Sequence, residues 1–351
     1  MQIKTLVSVV MIAYEQEKFI RDAIGGVLMQ KINFDLEFII ADDNSQDNTQ
    51  SIVQSFSSHP NFHWIKYTKQ PENIGMMANF IWALNEAKGK YVAVCEGDDF
   101  WIDINKLQNQ FDFLESNSQC LICGSKIVNV NSTETLLNVQ SINFDKYKRG
   151  IYYNFEEVCL SNRIPTVSVF FRNCLSDISL NLLEDSPHGD WPLWLSICQT
   201  DKTKDVFISD SITSSYRVHQ QGVYSMVNDV KKKLNTARTI SVNNKITKGS
   251  YLEYCFLLCH FLLKNNPIKD EFFKENFQNI DLKDEVVLRL KKVIEKTNIV
   301  KYTYEFNTIF KKSKHKNQIL QLYKESKPTF LVYFYPCSIN WTIFKHYYFL
   351  K

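Results

Sequence analysis

Lys90-Tyr-Val-Ala-Val-Cys-Glu-Gly-Asp-Asp-Phe-Trp101 is the stretch that decides how this 351-residue chain folds. Tyr91 to Cys95 are apolar without a break, the pattern of a strand buried on both faces of a parallel sheet. The run passes directly into Glu96, Gly97, Asp98 and Asp99. In open α/β sheets, ligands bind at the carboxyl ends of strands. Adjacent carboxylates there repel each other and lose hydration unless a cation sits between them and the ligand. Hard oxygen donors suit Mg²⁺ or Mn²⁺, and a divalent ion would in turn hold a phosphate. The competing reading is an acidic loop that only caps the next helix.

Working outward, Leu6 to Ala13 reads as a first buried strand and Lys18 to Gln30 as a helix with one apolar face. Leu36 to Ala41 is a second strand that ends on Asp42-Asp43-Asn44-Ser45. Ile52, Val53 and Phe56 mark a short helix, and His63 to Tyr67 a third strand. A helix over Met76 to Ala87 follows, with Gly89 as its expected stop. After the acidic loop come a helix marked by Leu107, Phe111 and Leu114, then a strand over Cys120 to Val128. This alternation predicts an α/β doubly wound sheet with helices on both faces.

Residues 130–187 read as a β-rich, loop-rich insertion, with a strand over Thr166 to Phe171. A helix over Asp190 to Cys198 and a strand within Val206 to Arg217 complete the first part. The expected division is a domain over 1–228, with its two halves meeting at residues 128 and 129 (1–128 and 129–228). A helical, basic and aromatic region over 229–351 would follow.

Charge separates the same way. Residues 1–230 hold 18 Lys/Arg against 28 Asp/Glu, and residues 231–351 hold 23 against 10. An acidic front suits a metal site and a basic rear an anionic surface. Nucleic acid is a poor fit, because no helix-turn-helix, finger or RNA-binding signature accompanies the charge. The nine cysteines are scattered, and Cys120-Leu-Ile-Cys123 lies in an apolar run, so buried reduced thiols are expected. No window reaches 18 uninterrupted apolar residues, which predicts a cytoplasmic protein without a spanning helix. Aromatics and lysines near the C-terminus would suit a membrane interface as well as a packed helical lid.

Two strands thus end in paired aspartates, Asp42-Asp43 and Asp98-Asp99. A dinucleotide fold would need G-x-G-x-x-G after the first strand, where Ala13-Tyr-Glu-Gln-Glu-Lys18 stands, and a P-loop is absent. A metal is therefore left to hold phosphate.

Five ordered motifs resemble glycosyltransferase family 2. They are Val7-Ser-Val-Val-Met-Ile-Ala-Tyr14, Ile39-Ile-Ala-Asp-Asp-Asn-Ser-Gln-Asp-Asn-Thr49 with Asn73-Ile-Gly75, Glu96-Gly-Asp-Asp99, His188-Gly-Asp-Trp-Pro-Leu-Trp194, and Tyr216-Arg-Val-His219-Gln-Gln-Gly222. The resemblance covers roughly residues 5–225. It implies a GT-A fold and inverting transfer of one sugar from a nucleoside diphosphate sugar, UDP-sugar favoured, to a glycan or lipid-linked acceptor in surface polysaccharide synthesis. It also implies Mn²⁺ or Mg²⁺ as cofactor, and makes 1–128 the nucleotide-sugar-binding half and 129–228 the acceptor-side half. The expected location is cytoplasmic, with peripheral contact at the inner face of the plasma membrane as the open alternative.

Residue by residue, the resemblance places the base at Ala13 and Tyr14, with Asp43 accepting a hydrogen bond from it and Asn73 nearby. Asp98 would hold the ribose or assist the metal, Asp99 would coordinate the metal, and His219 would touch metal or diphosphate. Asp190 would be the general base. The competing classes are a sugar nucleotidyltransferase, which would need a glycine-rich loop after the first strand, and an inactive glycosyltransferase-like scaffold. Asp42 and Asp47 are also open to a purely structural reading as caps of the helix near Thr49.

Overall fold

The computed structural model describes residues 6–135, 149–220, 222, 227–250, 255, 259, 262–263 and 266–276. The chain divides into two compact units, 1–247 and 248–351. The helix Asp229–Ile246 packs against the helix Asp190–Thr200, so it belongs with the first unit. The boundary therefore lies after that helix and not at the expected residue 228. The expected helix over residues 286–294 and the aromatic segments beyond residue 330 lie outside the described residues.

At the centre of the sheet is β1 (Leu6–Ala13), where Val7, Val9, Val10 and Met11 are wholly buried. Such a strand can only be flanked on both edges and covered on both faces. It pairs in parallel with β2 (Asp35–Asp42) on one side and β4 (Tyr91–Val94) on the other. Beyond β2 lies β3 (Ile65–Lys69), also parallel. The helices α1 (Ile20–Leu28), α2 (Thr49–Gln54) and α3 (Met76–Glu86) make the crossovers. The order β3-β2-β1-β4 means that the chain builds outward on one side of β1 and then returns to build on the other.

Beyond β4 the sheet becomes mixed. β8 (Phe170–Arg172) runs antiparallel between β4 and β6 (Cys120–Asn131). β9 (Asp205–Val218) lies parallel to β6, its first part pairing with β7 (Gly150–Tyr153) and its last part with the two-residue β5 (Phe100–Trp101). α4 (Lys106–Ser116), α5 (Phe155–Leu160), α6 (Asp190–Thr200) and α7 (Asp229–Ile246) complete this half. Fully buried Trp101, Trp194, Tyr91 and Phe38 dominate the core, each contributing about 1.5–3 kcal/mol by leaving water.

Two expectations change. The insertion is less β-rich than its sequence reads: Thr166–Ser168 form a 3₁₀ turn, and only Phe170–Arg172 are strand. Gly89 is not the cap of α3, which ends at Ala87. A Cβ at Gly89 would stand 2.5 Å from the Ser8 backbone nitrogen, so close approach of this turn to β1 requires glycine. Cys120 and Cys123 are buried free thiols, as their apolar run predicts.

Candidate active site

β1 and β4 flank the point where the strand order reverses, the position at which an open parallel sheet leaves a crevice beyond its carboxyl ends. A cavity of about 440 Å³ opens here. Its walls are Ile12 from β1, Met76, Met77 and Phe80 from α3, Glu96 and Asp98 from the loop after β4, and Pro187 to Trp191 at the start of α6. Asn162, Thr166, Tyr216, Arg217, Gly222 and, from α7, Thr236 and Thr239 close it.

The acidic loop is tied to β1 by the Gly97 amide, which donates to the Ile12 carbonyl at 3.1 Å. Its two aspartates have opposite surroundings. Asp98 faces the cavity, and its Oδ2 lies 3.0 Å from His219 Nε2. The His219 ring packs on Phe19 with centroids 4.5 Å apart. Asp99 is 1% exposed and does not line the cavity. Its Oδ1 accepts the Arg217 backbone N–H at 2.8 Å, while Oδ2 is buried with no partner. Burial, then the charges of Asp98 and Glu96, push the Asp99 carboxyl well above the usual carboxylate range, against a smaller downward pull from Arg217. Burial, then Asp98 and Asp190, push Glu96 up to about 8.

The carboxylate oxygens of Glu96 and Asp98 in this lining are hard donors, the kind that suits Mn²⁺ or Mg²⁺. Asp98 is the aspartate of this loop that lines the cavity, and the buried His219 stands beside it outside the lining. Asp99, expected as the ligand, lies beneath the surface with one oxygen engaged by main chain. Among the described residues no three acidic, His or Cys side chains form a ready-made cage. Such ions commonly take one or two protein carboxylates and complete their shell with substrate phosphate and water.

Asp190, also in the cavity lining, is the first residue of α6. Asn162 Nδ2 donates to its Oδ2 at 2.6 Å and Thr166 Oγ1 donates to the same oxygen at 3.3 Å, so neither bond engages Oδ1. A Cβ at the preceding Gly189 would stand 2.7 Å from Met77 Sδ, the end of a flexible side chain that can move aside. Burial lowers the His188 imidazole below its ordinary value, with a smaller upward pull from Asp190. Trp194 is wholly buried core, and Trp191 forms cavity wall with its indole N–H donated to the Val158 carbonyl.

The residues expected around the base lie together at the carboxyl edge of β1 and β2, outside the cavity lining. Ala13 is buried and its carbonyl accepts the Asp43 N–H, while Tyr14 is 46% exposed. Asp43 is 3% exposed, and both its oxygens are engaged, by the Ile74 N–H at 2.7 Å and the Gly75 N–H at 3.0 Å. Asn73 Oδ1 also accepts the Gly75 N–H. In this structure Asp43 and Asn73 shape the loop before α3. Asp42 accepts from the Ser45 N–H and the Tyr67 hydroxyl. Asp47 accepts from the Thr49 N–H, in keeping with its structural reading. Asn44 has φ +62°, the left-handed geometry that asparagine tolerates.

Glu96 and Arg217 are the site residues that sequence reasoning left without a role. Arg217 stood inside the quoted Tyr216-to-Gly222 motif, but nothing in a one-dimensional pattern shows that it reaches back to Asp98.

Comparison with known proteins settles the family. Residues 8–178 match the glycosyl transferase family 2 model. The chain is 39% identical over 117 residues to the uncharacterised protein Rv1520 of Mycobacterium tuberculosis, 33% of each chain. It therefore spans about a third of the length of these mycobacterial relatives. It is 30% identical over 222 residues to the UDP-Glc:alpha-D-GlcNAc-diphosphoundecaprenol beta-1,3-glucosyltransferase WfgD of Escherichia coli, 63% of this chain and 80% of that one. The chain belongs to glycosyltransferase family 2. Its fold is that of the family's GT-A members. Mannosyltransferase PcManGT from Pyrobaculum calidifontis, solved in complex with GDP-Man and Mn²⁺, superposes with TM-score 0.52 at 14% identity, over 93% of this chain and 88% of that one.

Proposed function

We propose that this family 2 chain is an inverting, divalent-metal-dependent glycosyltransferase that moves one sugar from a nucleoside diphosphate donor to a glycan or lipid-linked acceptor. The observation that carries this reading is one cavity lined by both Asp98, with His219 Nε2 3.0 Å from its carboxylate, and Asp190, the first residue of α6. The likeness to WfgD, a UDP-Glc:alpha-D-GlcNAc-diphosphoundecaprenol glucosyltransferase, supports a UDP-sugar and a lipid diphosphate as the first pair to test. Surface polysaccharide assembly at the inner face of a membrane is the corresponding setting. No helix among the described residues is long and apolar enough to cross a membrane.

A bound Mn²⁺ or Mg²⁺ would stabilise the charge that develops on the departing diphosphate. Asp98, which lines the cavity, would hold it with His219 beside it, while Asp99 lies outside that lining with Oδ1 engaged by the Arg217 N–H. Asp190 does the proton work. Its Oδ2 is held by Asn162 and Thr166, which orients Oδ1 toward the cavity to accept the proton of the acceptor hydroxyl. The hydroxyl oxygen forms its bond to the anomeric carbon as the carbon–phosphate-oxygen bond breaks, and the diphosphate leaves with that electron pair. In this single displacement the hydroxyl attacks the face of the anomeric carbon opposite the leaving group, which inverts the centre and needs no covalent nucleophile.

On the nucleoside side, Tyr14 offers an exposed ring for the base, with Ala13 beneath. Asp43 and Asn73 act there through the loop they shape, and Asp43 can also accept from the base with its remaining lone pairs. The domain assignment that goes with this reading puts donor binding in residues 1–128 and the acceptor wall in 129–247, including α7. The test is product formation from a panel of nucleotide sugars with Mn²⁺ and a glycosyl-diphosphate lipid. Turnover that is undiminished in EDTA would contradict the metal dependence.

A further inference from the structure

We propose that Arg217 is a positioning residue that sets the divalent-cation affinity of the site by fixing Asp98 and His219 in place. This rests on the metal reading given above. Arg217 is 3% exposed and reaches three elements at once. Its Nε donates to the Asp98 carbonyl at 2.9 Å, its backbone N–H donates to Asp99 Oδ1 at 2.8 Å, and its Nη2 lies 3.1 Å from Asp22 Oδ2 on α1. Nη1 donates to the carbonyls of Asn131 and Glu134 at the end of β6. The guanidinium carbon lies 4.9 Å from the ring centroids of both Phe19 and Phe100.

Two features make this a clamp for a metal site and not a competitor for it. The guanidinium meets Asp98 only at the main-chain oxygen, so the Asp98 carboxylate keeps its charge for a cation. Phe19, which covers Arg217, also carries the His219 ring, and His219 follows Arg217 by two residues on the same strand end. A single buried side chain therefore ties the turn that bears one ligand to the strand that bears the other. Outer-shell partners of this kind typically change metal affinity by about 10–100-fold when removed. Lysine keeps the charge but cannot reproduce the planar fork.

The test is Mn²⁺ binding, read from the EPR signal of free Mn²⁺ during titration of the full chain with UDP present. The parent protein, Arg217→Lys, Asp22→Asn and Asp98→Asn are compared, with thermal unfolding to confirm folding. Arg217→Lys is expected to weaken Mn²⁺ binding by about 10–100-fold, and Asp22→Asn, which loosens the clamp at its outer end, to weaken it less but measurably. Asp98→Asn should remove binding. Parent-like affinity in Arg217→Lys and Asp22→Asn beside lost binding in Asp98→Asn overturns the clamp and leaves the metal reading standing. Parent-like affinity in Asp98→Asn overturns both. Should Arg217→Lys not fold, Asp22→Asn decides, because it is isosteric and partly exposed.

Discussion

Replacing Asp190 by asparagine removes the proposed base with the least disturbance the site permits. Asn162 and Thr166 both donate to Oδ2, and an asparagine with its carbonyl oxygen at that position accepts the same two bonds. The amide nitrogen then stands where Oδ1 stood and cannot take a proton. Asp190 is partly exposed at the cavity and begins α6, so stability should change by less than about 1 kcal/mol. A positioned general base contributes roughly 10²–10⁴-fold, equivalent to about 3–5 kcal/mol of barrier. Single-turnover transfer from UDP-glucose to a GlcNAc-diphosphate lipid, or from whichever donor and acceptor pair proves active, should slow by that factor while donor binding stays at the parent level. Transfer within threefold of the parent (roughly 0.6 kcal/mol) would refute the role of Asp190. An equal loss of donor binding would show that the residue works in the ground state.

Three further outcomes follow from named contacts. Asp99→Asn should keep Mn²⁺ binding and match or exceed parent stability, because a buried carboxyl with an unpartnered oxygen is replaced by a neutral amide that still accepts from Arg217 N–H; loss of Mn²⁺ binding here, with Asp98→Asn unaffected, would restore Asp99 as the ligand. Gly89→Ala should cost about 1–3 kcal/mol in denaturant unfolding, since its Cβ would meet β1 backbone and not a movable side chain; parent-like stability would contradict that packing. Lys106 is wholly buried, with Nζ 2.8 Å from Gln110 Oε1 and 4.1 Å from the Trp101 ring centroid, and burial lowers it to about 7. Between that value and its ordinary one the unfolded chain binds the extra proton, so Lys106 makes the fold more stable as pH rises from about 7 toward 10, by up to 1.36 kcal/mol per pH unit. The stability difference between the parent and Lys106→Met should therefore move in the parent's favour from pH 7 to 8.5, and a difference independent of pH would contradict the burial of a neutral amine.

The first 128 residues were legible because their strands are continuous apolar runs and their helices have one apolar face, both local signals. Leu6–Ala13 is found where the sequence places it, and α3 begins at Met76 as expected. The second half was harder because its pairings are remote: Phe170–Arg172 insert antiparallel between β4 and β6, and Phe100–Trp101 is too short to carry any periodicity. The same limit governs the site. That Glu96-to-Asp99 lies at a strand's carboxyl end follows from the apolar run before it. Which of two adjacent aspartates faces outward is set by the turn after β4 and by Arg217, over a hundred positions later in the chain. Likewise Asp43 has the composition of a base-binding residue, but a loop more than thirty positions on supplies the donors that occupy it.

The most direct measurement is whether a sugar is transferred, and by which carboxylates. The purified chain would be incubated with Mn²⁺, a panel of UDP-, GDP- and TDP-sugars and a glycosyl-diphosphate lipid, with the acceptor product identified by mass and the released nucleoside diphosphate quantified. One donor should yield acceptor lengthened by a single sugar of inverted configuration, abolished by EDTA and by Asp98→Asn, and slowed by Asp190→Asn without loss of donor binding. A product with retained configuration, or transfer that survives both EDTA and Asp98→Asn, would contradict the account of this cavity.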